Sequence, residues 1–217
     1  MNYFHVMNRG VDKRTIAQDN ADRLRFVTSL YVMNDTEQVE NTARTSLLGV
    51  RPRTDTRKRL VTIHAWCLMG NHYHLLLSEN VEGGMSNFLK KLNVGYTGYF
   101  NLRHSRSGVL FQGKTKRVQI VTDRHFLYIL PYIHLNPLDF YKDTKNWRIQ
   151  CVSNPKRALE QVNGYRWSSL KNYSGELEFE PILAGSDLYA DRKLHTTTLR
   201  TFLARMADHD LAPITLE

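Results

Sequence analysis

Apolar and polar positions along the chain switch between a period of two residues and a period near 3.6, and the order of the switches predicts the architecture. Tyr3 to Arg9, YFHVMNR, has the apolar and aromatic content of a strand and stops at Gly10, a turn residue. From Asn20 onward Leu24, Val27, Leu30 and Tyr31 recur at helical spacing, with Asp19 or Asn20 as the cap. LVTIHAWCLM and HYHLLLSE then read as two strands joined by Gly70-Asn71, an antiparallel hairpin. Met85, Phe88, Leu89, Leu92, Tyr96 and Tyr99 mark one face of a second helix. GVLFQGKTKRVQIV supplies a fourth strand, entered through Gly113. Thr122 or Asp123 caps a third helical stretch, RHFLYILPYIHLN, which ends near Asn136 because Pro137 disfavours helical geometry in the residue before it. The order β-α-β-β-α-β plus a helix predicts an α+β fold of ferredoxin-like split βαβ type, an antiparallel sheet with two helices on one face.

Two segments fall outside this pattern. Residues 34–59 are polar, arginine-rich and aperiodic, a long connection with a possible role in touching nucleic acid. Beyond residue 140 a mixed polar stretch leads to YRWSSLKNY, whose aromatic residues predict a segment that docks back. The division is thus a domain over 1–140 and a C-terminal extension over 141–217 with a possible DNA-binding role.

Composition narrows the partners. The 217 residues suffice for a real core, and no apolar run reaches the length of a membrane helix. The N-terminus MNYFHVMNRG lacks the layout of a signal peptide, so a cytoplasmic location is expected. Cys67 and Cys151 have no spacing for zinc or a disulfide framework. Thirty Lys and Arg against 21 Asp and Glu leave a net charge of +9, which favours a polyanion, nucleic acid first. A merely solubilising surface is the alternative. The basic residues cluster at Arg51 to Arg59, at Arg103 and Arg106, and at Lys114, Lys116 and Arg117.

The chemistry lies in MGNHYHLLL. On a strand His72 and His74 share one face while Tyr73, Leu75 and Leu77 take the other. Two imidazoles on one face are a ready pair of metal ligands, or a pair of half-exposed histidines at a strand end. In the third helix Tyr132 and Asn136 are four apart and share a face. If that face meets the histidine strand, His72, His74 and Asn136 could hold one divalent cation, Mg²⁺ or Mn²⁺, beside a tyrosine. Positions left open would accept phosphate oxygens, and Tyr132 would attack a phosphodiester in line. A phenol with its ordinary pKa near 10 needs activation, and the sequence names no base; His134 lies on another helix face.

These residues resemble a known family. His72-Tyr73-His74 looks like the HUH signature of single-strand DNA nucleases, and MGNHYHLLL followed by YIHLNP is similar to the single-tyrosine transposases of insertion sequences, most of all the REP-associated tyrosine transposases. GVLFQGK and WSSLKNY match that subgroup in style, with Lys114 where arginine is commoner. The resemblance implies a bacterial, nucleoid-associated enzyme that cuts and joins single-stranded DNA beside a hairpin, a REP-like palindrome, through a 5′-phosphotyrosine intermediate. It would act as a monomer or homodimer. It implies His72 and His74 as ligands, Tyr132 as nucleophile and Asn136 as third ligand. Rolling-circle initiators of the superfamily often carry a lysine where this chain has Asn136, which favours the transposase branch. Two features depart from the pattern: the long 34–59 connection, and Pro131 directly before the tyrosine, where a kink is expected.

Rival readings remain open at this stage. Tyr96 and Tyr99 lie on the apolar stripe of helix two and read as core. Arg103, Arg106, Lys114, Lys116 and Arg117 are candidate phosphate contacts. Gln112 could read a base edge, or be an exposed loop residue; Trp167 and Tyr165 could stack on bases, or cover the sheet. A domesticated protein that grips hairpins without cutting is the alternative function. A phosphohydrolase with water as nucleophile, in which Tyr132 would be dispensable, is a third.

Overall fold

The computed structural model describes residues 2–37, 55, 57–149, 152–190 and 192–205. Most of the 34–59 connection and Cys151 lie outside them. Strand β1 is Tyr3–Arg9, β2 Val61–Leu68, β3 His72–Glu79 and β4 Lys116–Ile120; helix α1 is Asn20–Val32, α2 Gly84–Arg103 and α3 Asp123–Leu135. The four strands form one antiparallel sheet in the order β2-β3-β1-β4. This is the ferredoxin-like order, in which β3 pairs between β2 and β1 so that each βαβ half is split.

Local chemistry sets the element ends. Asp19 caps α1 by accepting from the amides of Ala21 and Asp22, and Thr122 caps α3 by accepting from His125 N at 3.1 Å. Gly84 opens α2 directly against β2, where a Cβ would collide with the Leu60 carbonyl oxygen. The fourth strand is shorter than its apolar run predicts. Gly113, at φ +62°, turns the backbone out of strand geometry. Upstream of it Phe111 makes only a single bridge to Gly10, and Leu110 and Phe111 pack as a buried loop.

The sheet has helices on both faces. Tyr73, with Leu75 and Leu77 in step with it, faces α1 and α2: its ring lies 5.0 Å from Phe26 and its hydroxyl donates to Asn93 Oδ1 at 2.9 Å. On the opposite face α3 crosses β2 and β3. Helix α3 runs through Pro131 without interruption.

Residues beyond 140 pack onto the same core. Helix α4 is Pro155–Gly164, α5 Leu170–Tyr173, α6 Asp187–Ala190 and α7 Arg192–Arg205. Trp167 and Ser169 line the outer edge of β2: Leu68 N donates to Trp167 O and Ser169 N to Trp66 O, each at 2.9 Å. That cover removes one open sheet edge. A chain of buried polar contacts ties the extension down. His134 bonds to His195 at 2.6 Å and to Ser169 at 2.7 Å, and His64 bonds to Ser78 at 2.8 Å and to Ser186 at 3.0 Å. Cys67 is buried, and burial pushes its thiol pKa up, so it is an inert core thiol.

Candidate active site

The histidine side of the site is built by the β2-β3 hairpin. Met69 N donates to His72 O at 2.8 Å and closes the turn. Asn71 donates through Nδ2 to the Lys13 carbonyl at 3.2 Å, which leaves its Oδ1 to accept from His72 Nδ1 at 2.6 Å. That bond puts the His72 proton on Nδ1 and the ring lone pair on Nε2. Next along the strand, His74 Nδ1 bonds to His5 Nε2 at 2.9 Å, with the two rings stacked at 5.1 Å. His74 Nε2 is buried with no hydrogen-bond partner. The His72 and His74 rings are 4.9 Å apart.

Burial, and then the neighbouring charges of His72, His5, Arg148 and Arg9, hold the pKa of His74 well below its ordinary value. Burial also pushes His5 down to about 3, helped by His125. Both rings are therefore neutral near pH 7, the state in which an imidazole nitrogen can ligate a metal.

Helix α3 supplies the tyrosine side. The ring of Tyr132, 2% exposed, stands 5.6 Å from His74 and 5.9 Å from His5, both edge to face. Tyr128 and Trp147 flank it at 5.5 and 5.8 Å. One turn on, Asn136 is fully buried and donates through Nδ2 to the Tyr132 carbonyl at 2.8 Å. Its Oδ1 accepts from Arg148 Nη2 at 2.6 Å. Arg148 also donates to Asp139 at 2.5 Å, and its guanidinium lies 5.3 Å from the Tyr132 ring and 4.5 Å from the Trp147 ring. Burial opposes that charge, yet the hydrogen bond and attraction to Asp139, with a further contribution from Tyr132, raise the Arg148 pKa.

His72, His74 and Tyr132 thus converge from one hairpin and one helix, with Asn136 one helical turn beyond the tyrosine and bonded to its carbonyl. Among the described residues no group of three or more His, Cys, Asp and Glu side chains is arranged to hold a metal ion. A third ligand would come from the Asn136 amide, whose Oδ1 is engaged by Arg148. The buried, unbonded His74 Nε2 beside the His72 imidazole fits a divalent cation, since leaving such a nitrogen without a partner is otherwise costly.

The basic candidates separate by location. Lys116 pairs with Met7, which pairs with His74, so these residues form one cross-strand row on the α3 face. Two strand spacings put the Lys116 backbone about 10 Å from that of His74. Lys114, Lys116 and Arg117 are exposed, although Arg117 points to the other face and donates to Ser86 at 2.9 Å. Gln112 is exposed in the loop before β4, its backbone N–H donating to Arg9 O at 2.7 Å. Arg103 is committed to Asp19 and Asp22, and Arg106 to Asn101 and the Val109 carbonyl. Trp167, offered above as a stacking platform, is 6% exposed and packs against Phe179, so its ring is not presented to a base. Tyr165 likewise bonds to the Leu68 carbonyl at 2.6 Å.

Three residues of the site carried no recognised signal in the sequence. His5 lies in a strand whose neighbour is set by sheet order, and Arg9 sits directly opposite His72 in the β1-β3 register. Arg148 lies in an aperiodic turn twelve residues beyond Asn136.

Fold and site together define an α+β, ferredoxin-like protein in which a paired-histidine strand faces a tyrosine-bearing helix. The chain is similar to a solved structure of a REP-associated tyrosine transposase bound to a REP hairpin, which it matches over 86% of each chain with 13% identity and a TM-score of 0.45. No protein-family model and no curated protein matches the chain.

Proposed function

We propose that this protein is a metal-dependent single-strand DNA endonuclease and strand transferase of the HUH type, acting beside DNA hairpins through Tyr132. The observation that carries the reading is the packing of the Tyr132 ring 5.6 Å from His74, whose Nε2 is buried without a hydrogen-bond partner. The resemblance of MGNHYHLLL and YIHLNP to the motifs of REP-associated tyrosine transposases agrees with it.

In this reading His72 and His74 would hold Mg²⁺ or Mn²⁺, with Asn136 as third ligand. The cation would supply charge neutralisation at the scissile phosphate. Tyr132 Oη forms a bond to phosphorus as the bond to the 3′ oxygen breaks in line, leaving a 5′-phosphotyrosine and a 3′-hydroxyl. The proton lost by the phenol is matched by the one gained by the 3′ oxygen. Because the phosphotyrosine keeps the energy of the phosphodiester, a second 3′-hydroxyl can reverse the step on another strand. Lys114, Lys116 and Arg117 bind backbone phosphates along the β4 side of the sheet. Gln112 lies beyond the reacting atoms in this reading, the 141–217 extension reaches them through Trp147 and Arg148, and oligomeric state, monomer or homodimer, does not enter it.

A second reading, hairpin binding without cleavage, is favoured by one observation: Tyr132 is 2% exposed beneath Trp147 and Arg148. One experiment separates the two. Labelled single-stranded hairpin DNA incubated with the protein and Mn²⁺ should yield a covalent protein-DNA adduct. Tyr132→Phe should lower adduct formation at least about a thousandfold while DNA binding persists. Undiminished cleavage by Tyr132→Phe would sink the tyrosine mechanism, and wild-type binding with no adduct would favour the second reading.

A further inference from the structure

We propose that Arg148 gates the site: it holds Asn136 while no DNA is bound and moves to the substrate phosphodiester, which frees Asn136 for the cation. The inference rests on the nuclease reading above. The Arg148 guanidinium bridges Asn136 Oδ1 at 2.6 Å and Asp139 at 2.5 Å, and it stacks 4.5 Å from Trp147 and 5.3 Å from Tyr132. It therefore sits on Asn136 Oδ1, the oxygen that the nuclease reading assigns as third ligand.

A guanidinium and a divalent cation on the same amide oxygen repel each other in a buried setting, where charges are poorly screened. In the DNA-free protein Arg148 thus weakens cation binding. A phosphodiester arriving at Tyr132 changes the balance. It offers Arg148 two oxygens in the fork geometry that guanidinium prefers, and it adds negative charge that offsets the repulsion. DNA and cation then bind with positive linkage, each raising the affinity for the other by the same factor. The arrangement keeps a hydrolytic metal centre unassembled until a strand is in place.

The test uses Tyr132→Phe as background, so that DNA stays intact, and titrates Mn²⁺ by electron paramagnetic resonance with and without single-stranded hairpin DNA. With Arg148 present, DNA should tighten Mn²⁺ binding about tenfold, the equivalent of one charge-assisted hydrogen bond no longer in competition. Arg148→Gln should bind Mn²⁺ about tenfold more tightly without DNA and gain little more when DNA is added. In the otherwise wild-type protein the same change should slow adduct formation. Opposite signs on metal affinity and adduct rate mark a gate, because a residue that only supports the fold loses both. Arg148→Lys keeps the charge and should retain weak DNA-free Mn²⁺ binding. Equal DNA-free affinity in the Arg148, Gln and Lys proteins overturns the gate while leaving the nuclease reading intact. Absence of Mn²⁺ binding in every protein, with or without DNA, overturns the metal-dependent reading itself.

Discussion

The two faces of the sheet are made of different materials. Toward α1 and α2 the sheet presents Val6, Tyr73, Leu75 and Leu77, and the helices answer with Phe26, Phe88, Leu89 and Leu92, all buried. Toward α3 it presents His5, His74 and Ser78, and the covering elements bury His134, Asn136, Ser169 and His195. The first face is held by burial of apolar area, which is non-directional and tolerant of imperfect fit. The second also buries apolar side chains, among them Met7 and Leu76, but adds hydrogen bonds, whose partners must be placed to within a few tenths of an ångström. One sheet therefore gives a stable platform on one side and an ordered polar chamber on the other, and chemistry is expected only in the chamber.

The contrast can be broken most sharply by trading sites between faces. Tyr132→Phe should remove adduct formation and barely shift the urea midpoint. Phe88→Ala on the opposite face should cost about 3–5 kcal/mol of stability through the cavity it leaves. With folding restored by stabilising conditions, the Phe88→Ala protein should still form the adduct. If Phe88→Ala abolished the adduct in folded protein, the two faces would not be separable in this way.

Acid should weaken the polar face selectively. Burial lowers His64 and His195 from 6.5 to about 4, with the coulombic effect of Asp187 partly opposing the shift at His64. Unfolding lets each take up a proton at its ordinary pKa, so the unfolded state binds more protons between pH 6.5 and about 4. Stability is thus full above the upper value and lost as pH falls through the window. Unfolding free energies from urea titrations at about pH 7 and about pH 4.5 should differ by a few kcal/mol, and His195→Gln should flatten part of the slope. A flat profile in the unsubstituted protein would contradict the buried-histidine account of how the C-terminal extension is fastened.

The smallest expected effect is at the sheet edge. Lys116→Ala and Arg117→Ala should each reduce the slope of log affinity against log salt for single-stranded DNA by about 0.7. Arg103→Ala, already neutralised by Asp19 and Asp22, should change that slope less. Equal changes from all three would mean that the polyanion follows a path other than β4.

Periodicity and caps were enough to define β1, α1, the β2-β3 hairpin, α2 and α3, because each is set by contacts among residues near in sequence. Asp19 and Thr122 act as caps through amides at most three residues away. The strand period alone placed His72 and His74 on one face, and the helix period placed Tyr132 and Asn136 on another. The length of β4 escaped that logic, since the positive φ of Gly113 ends an apolar run whose pattern continues. The fate of Trp167 escaped it too, because aromatic residues cover a sheet edge or meet a base with the same composition. What tertiary structure alone decided was the meeting of α3 with the histidine strand and the arrival of His5, Arg9 and Arg148 around it. Those encounters join residues from 12 to 69 positions apart where a partner is bonded, and their geometry follows from strand order and helix docking. No local pattern encodes that order, because it arises only when the whole core closes.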